Sequence, residues 1–196
     1  MLAYVRQSEK LRKGYAILEG RDLRAGGQMN KEATIVHIQA AFQGVPRPAT
    51  TIGSRPFGID LQLMEELEGR SWEAISTDSD FLCRHTDFAF FAPAAFHYFL
   101  PGYLIGAVNY ATIARESFIQ SLLFVLSPPD WAPEAIAYHD VVMKLLTTPQ
   151  RRAVRIWLEY LVDSTPEDWW TEDDPPYHEL RRELEKWKTV TGEAVP

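Results

Sequence analysis

The stretch RESFIQSLLFVL, Arg115–Leu126, decides the fold. Phe118, Ile119, Leu122, Leu123, Val125 and Leu126 place apolar side chains on nearly every side of a 3.6-residue period. A helix without a polar face must be covered from several directions, so this segment predicts a central helix with neighbours packed on it. Those neighbours are legible on both sides. Upstream, Pro93 suits a first helical position, where its missing N–H costs nothing, and Phe96, Phe99 and Leu100 follow at i, i+3 and i+4. Pro101 should end that helix, hold Leu100 extended and open a second helix carrying Leu104 and Val108. Downstream, Ser127-Pro128-Pro129-Asp130 is a break and Pro133 opens another helix. Pro149 opens a further one with Val154, Trp157, Leu158 and Leu161 on one face. After Pro175-Pro176, Tyr177, Leu180, Leu184 and Trp187 form the apolar face of a last helix. Asp173 and Asp174 before it and Lys186 and Lys188 near its end both suit the helix dipole.

The first half of the chain reads the same way. Asn30 is a good N-cap for a helix through Gln43 whose inward face would be Ile35, Ile38 and Phe42, and Gly44 should end it. Val45-Pro46-Arg47-Pro48 is held extended, and residues 49–59 read as a loop. Asp60 can cap a short helix with Leu63, Met64 and Leu67, closed by Gly69. Ser71-Trp72 begins a further turn, and Asp78 caps a stretch with Phe81 and Leu82 inward. Only DFAFFA, residues 87–92, lets a short strand compete with helix. The fold class is therefore all-α: a compact single-domain bundle of about eight or nine mostly short helices. Composition divides it into a basic arm at 1–28, a helical core at 29–162 and an acidic helical extension at 163–196 packed on the core.

The 196 residues are 46% apolar, enough to bury about 70% of the unfolded surface without staples. One cysteine excludes an intramolecular disulfide, and no apolar run approaches the length of a membrane span. With no signal-peptide h-region in residues 1–27, a cytoplasmic location is expected. The formal net charge is −7, distributed as +3 over residues 1–29, −4 over 30–162 and −6 over 163–196. That balance argues against nucleic acid as a partner and for a basic protein, which an acidic surface would steer.

Residues that could do chemistry are few. Cys83, His85 and Asp87 alternate in CRHTD, so they converge only on an extended backbone; otherwise the string is a turn with local capping. His97 and Tyr98 project from the AFHYFLP helix and could line a small-ligand pocket with Tyr103, or form an amphipathic rim. His139-Asp140 resembles the adjacent His and Asp of the metal-dependent HD-type phosphohydrolases, which are all-α. Further ligands would have to come from His97 and Asp163. Against that, His139 lies three residues after Ile136 and four before Met143, where a hydrogen-bonded, partly buried histidine is expected. Trp169 and Trp170, beside Asp173 and Asp174, could anchor a partner or cover the core edge. No glycine-rich phosphate loop, CxxC, HExxH or nucleophile elbow is present, and no cofactor is expected.

Phe81–Ile105, FLCRHTDFAFFAPAAFHYFLPGYLI, resembles the signature of an uncharacterised bacterial family. The family pattern places a Trp upstream of F-x-F-F-x-P-x-A-F-x-Y-F-L-P-x-Y-L. Here Trp72, Phe88, Phe90, Phe91, Pro93, Phe96, Tyr98, Pro101 and Tyr103 stand at its positions. Leu146–Leu161 resembles the same family's second motif, with Trp157 where Phe is usual. The likeness covers residues 30–162, and it implies neither an activity nor catalytic residues. From charge and candidate residues three expectations stand: a non-enzymatic interaction protein of immunity or antitoxin-like kind, a metal-dependent hydrolase built on His139-Asp140, or a small-ligand-binding helical domain around His97, Tyr98 and Tyr103.

Overall fold

A computed structural model of the chain describes residues 24–25, 28–51, 61–85, 88, 91–110, 118–128, 130–164 and 175–191. Regular β pairing among them is confined to β1 (Arg24–Ala25) and β2 (Gln28–Met29), antiparallel with Arg24 opposite Met29. The rest is helical: α1 (Lys31–Phe42), α2 (Leu61–Leu67), α3 (Trp72–Ile75), α4 (Ser79–Arg84), α5 (Pro93–Asn109), α6 (Phe118–Leu126), α7 (Pro133–Leu145), α8 (Thr148–Ser164) and α9 (Pro175–Val190). The protein is all-α. Near 87–92, Phe88 lies in a 3₁₀ turn and Phe91 makes an isolated bridge, the Ala92 N–H donating to the Thr51 carbonyl at 3.1 Å.

The helix starts follow from their caps. Asn30 Oδ1 accepts from the Ala33 N–H at 3.0 Å, Ser71 Oγ from Ala74 at 3.3 Å and Asp78 Oδ1 from Phe81 at 2.9 Å. Each satisfies a donor that the first helical turn leaves over. Gly44 and Gly69, at φ +79° and +73°, follow α1 and α2 in the left-handed region, where a side chain would be strained.

The chain divides into two compact units, one combining Met1–Gln43 with Pro149–Pro196 and the other Gly44–Thr148. In the first, α1 buries Thr34, His37, Ile38 and Phe42, a face rotated from the expected Ile35 side, and Ile35 is half-buried. Along α8, Val154, Trp157, Leu158 and Leu161 are buried as their spacing predicts, and along α9 so are Leu180, Leu184 and Trp187.

In the second unit the central element is α5, against which α3, α4 and α7 pack; α6, which its all-round apolar pattern marked as the central helix, packs on α7 and leaves Phe124 exposed. Here the expectation of two helices is corrected: α5 runs unbroken through Pro101 for 17 residues. Pro101 removes one hydrogen bond, to the His97 carbonyl, at a cost of about 3 kcal/mol in a helix interior. Burial along nearly the whole of α5 outweighs that local cost. The unbroken helix also sets Gly102 and Gly106 on one face, where α3 and Leu82 of α4 approach the backbone. Around Tyr103, Phe88 and Phe91 pack edge to face, at 4.6 and 6.2 Å between ring centroids, and Phe81 lies at 6.3 Å. Among the described residues no helix is long and apolar enough to cross a membrane.

Candidate functional site

The site is built where α6 turns into α7. The Ser127 N–H donates to the Leu123 carbonyl at 2.7 Å and closes α6; Pro133 occupies the first turn of α7, and the Ile136 N–H returns to Ala132 at 3.0 Å. Two side chains then fix α7 in place. His139 Nδ1 lies 3.0 Å from the Val125 carbonyl, and because a carbonyl only accepts, Nδ1 carries the proton. The Tyr138 hydroxyl donates to the Phe91 carbonyl at 3.0 Å, with its ring edge-on to Phe96 at 6.3 Å.

Between these ties remains a cavity of about 330 Å³, lined by Phe124, Val125, Pro133, Glu134, Ala135 and Tyr138 among others. Next to the lining residue Ala132, Trp131 is 78% exposed, its ring 6.4 Å from that of the lining Phe124, itself 40% exposed. Tyr138, Val141 and Leu145 continue the apolar surface along α7 at i, i+3 and i+7, with Val141 and Leu145 exposed. Isolated exposed apolar residues are ordinary, but an aromatic pair beside a formed apolar groove is not. Chemically the groove suits an apolar side chain, and Glu134 is the one carboxylate among the lining residues.

The structure separates most of the residues that the sequence singles out. Cys83 is exposed within α4, whereas His85, just past its end, is buried with its ring 4.7 Å from Phe81. The helical backbone at Cys83 is not the extended one their convergence would need. His97 is half-buried, and Tyr98 is buried with its ring edge-on to Phe99 at 4.8 Å. Tyr103 belongs to the aromatic core, where burial raises its hydroxyl pKa well above the ordinary tyrosine range. On one helix, positions 97, 98 and 103 are spread over more than one face, so they do not share a pocket wall. His139 is tied to Val125 and Asp140 is exposed; among the described residues no three of His, Cys, Asp or Glu converge to hold a metal. Asp87, Trp169, Trp170, Asp173 and Asp174 lie outside the described residues.

Other polar clusters among the described residues link neighbouring helices or brace a single one. Glu66 accepts both guanidinium nitrogens of Arg84, at 2.9 and 3.0 Å, and lies 3.1 Å from His85 Nε2. Arg70 donates to Asp78 at 2.7 Å while stacking over Phe81 at 4.8 Å. That ion pair and the Phe81 N–H lower the Asp78 pKa, the backbone bond being the larger cause. In the other unit, Arg155 meets Glu159 at 2.6 Å, and the buried Glu183 accepts from Lys186 at 2.9 Å. His37, which the sequence reading passed over, has its pKa lowered by burial first and by the Arg152 charge second.

The groove was equally hidden. Phe124 sits in a helix apolar on nearly all sides, and sequence shows no side that lacks a neighbour. Trp131 follows a proline turn, with only its size to mark it.

Fold and groove together define an all-α protein with an apolar cleft and exposed aromatic residues beside it. By its sequence the chain belongs to the DUF6714 family, a family of unknown function, whose profile residues 30–187 match. Membership bears out the expectation of a family without an assigned function. No curated protein and no solved structure matches the chain.

Proposed function

We propose that this protein works by binding another protein, without catalysing a reaction, and that the partner surface is basic. The observation that carries this reading is Trp131, 78% exposed, next in sequence to a groove residue and with its ring near Phe124 of the groove, whose walls are already hydrogen-bonded in place. Exposed tryptophan beside an apolar pocket is the composition of an interface anchor, and a preformed site needs little ordering on association. The net charge of −7 favours encounter with a cationic surface. The test is site-specific photo-crosslinking in the native host, with a photoreactive residue at position 131 and, as a control, at the exposed Glu185. The reading expects one protein captured from position 131 alone, basic in composition, that binds the purified chain directly and more weakly as salt rises. Identical capture from both positions, or salt-independent binding, would overturn it.

A further inference from the structure

We infer that the α6–α7 groove takes a short cationic segment of the partner, which inserts an apolar side chain beneath Trp131 and sets a Lys or Arg against Glu134. This rests on the interaction reading above and specifies its site and its ligand.

Three observations select that occupant over a second copy of the chain. The first is area. The exposed parts of Trp131, Phe124, Val141 and Leu145 amount to roughly 400 Å², about half the ~800 Å² that each partner contributes to a standard stable interface. A patch of this size fits a short segment better than a folded surface. The second is depth. A cavity of about 330 Å³ lies at the low end of the volumes that take small ligands, so it holds an anchor of one or two large side chains.

The third is charge. Glu134 lines the cavity and Asp130 precedes Trp131 in the turn; Asp140 is exposed on α7, and Lys144 is the one Lys or Arg between Ser127 and Thr148. A second copy would bring the same carboxylates face to face, which opposes docking, whereas a Lys or Arg beside the apolar anchor meets Glu134 directly. The Tyr138 hydroxyl already donates to Phe91, so among the groove's side chains Glu134 is left to read charge.

The test titrates the full chain with three fluorescein-labelled peptides and follows anisotropy: a lysine–leucine peptide, a glutamate–leucine peptide and a lysine–serine peptide. The inference expects the lysine–leucine peptide to bind at least about tenfold more tightly than either of the others. Trp131→Ala should weaken it about 30-fold or more and Glu134→Lys about tenfold. Val190→Ser, which alters an exposed apolar residue on α9, should leave it unchanged. Trp131 is exposed, so its replacement leaves folding intact, and a thermal melt of each variant checks this. Equal binding of the glutamate–leucine or lysine–serine peptide overturns the inference, as does an unchanged affinity for Trp131→Ala or no binding at all. A peptide failure alongside specific crosslinking from position 131 removes this ligand chemistry and leaves the interaction reading standing.

Discussion

Replacing Gly102 with alanine tests how α3 packs on α5. A Cβ at position 102 would lie 2.5 Å from the Trp72 carbonyl oxygen and 2.6 Å from Ile75 Cγ1, nearer than side-chain carbons approach other atoms. Alanine gains about 0.5–1 kcal/mol over glycine within a helix. Overpacking a filled core costs about 1–3 kcal/mol, and the upper end applies here because one obstructing atom is backbone and α3 must move as a body. The net loss is about 2 kcal/mol, or a fall of roughly 4–8 °C in Tm for a chain of this size. Gly106 gives the internal comparison. Its added Cβ would meet Leu82 Cδ1, the far end of a side chain that can rotate, so Gly106→Ala should cost less than about 1 kcal/mol. Thermal unfolding followed by far-UV circular dichroism reads both. A Gly102→Ala protein as stable as wild type, or a larger loss at Gly106, would refute the close approach of α3.

Three more perturbations follow. Pro101→Ala restores a helical N–H worth about 3 kcal/mol and gives up about two buried methylenes at ~0.8 kcal/mol each, so urea denaturation should show a gain of roughly 1 kcal/mol. A loss would mean that the ring's packing outweighs the missing bond. Burial and Arg152 lower the folded-state pKa of His37 below its unfolded value, so unfolding takes up a proton. His37 therefore contributes stability that is full above about pH 6.5 and falls as the pH drops through 6.5 toward the folded pKa. A His37→Gln protein should show a flatter stability profile from pH 7 to 5 in denaturant titrations, and an unchanged slope would contradict this. Glu66→Gln keeps the side chain's shape and removes the charge that holds Arg84 and His85, at a cost of about 1–2 kcal/mol by the same denaturation.

Local chemistry was the legible part of the fold. Asn30, Ser71 and Asp78 cap helices because a short polar side chain reaches donors two or three residues on, and nothing distant needs to be known. Glycine 44 and 69 end helices for an equally local reason, and the spacing of Val154, Trp157, Leu158 and Leu161 records a buried face directly. Pro101 misled because its cost is local while the burial that outweighs it comes from helices far away in sequence. The face of α1 was misjudged by about one position, since Thr34 and His37 are buried polar residues that an apolar count leaves out. The Glu66 partner of His85 lies 19 residues back, on a different helix, so no spacing rule connects them. The groove was least legible of all, because it arises from how α6 and α7 meet, which no local spacing records.

The most direct test of the account follows the six tryptophan indole N–H signals by ¹⁵N NMR while the lysine–leucine peptide is added to the full chain. The account predicts that the Trp131 signal moves in a saturable way while those of the buried Trp157 and Trp187 stay in place. Shifts centred on Trp169 and Trp170, with Trp131 unmoved, would place the interaction surface in the acidic segment instead and contradict it.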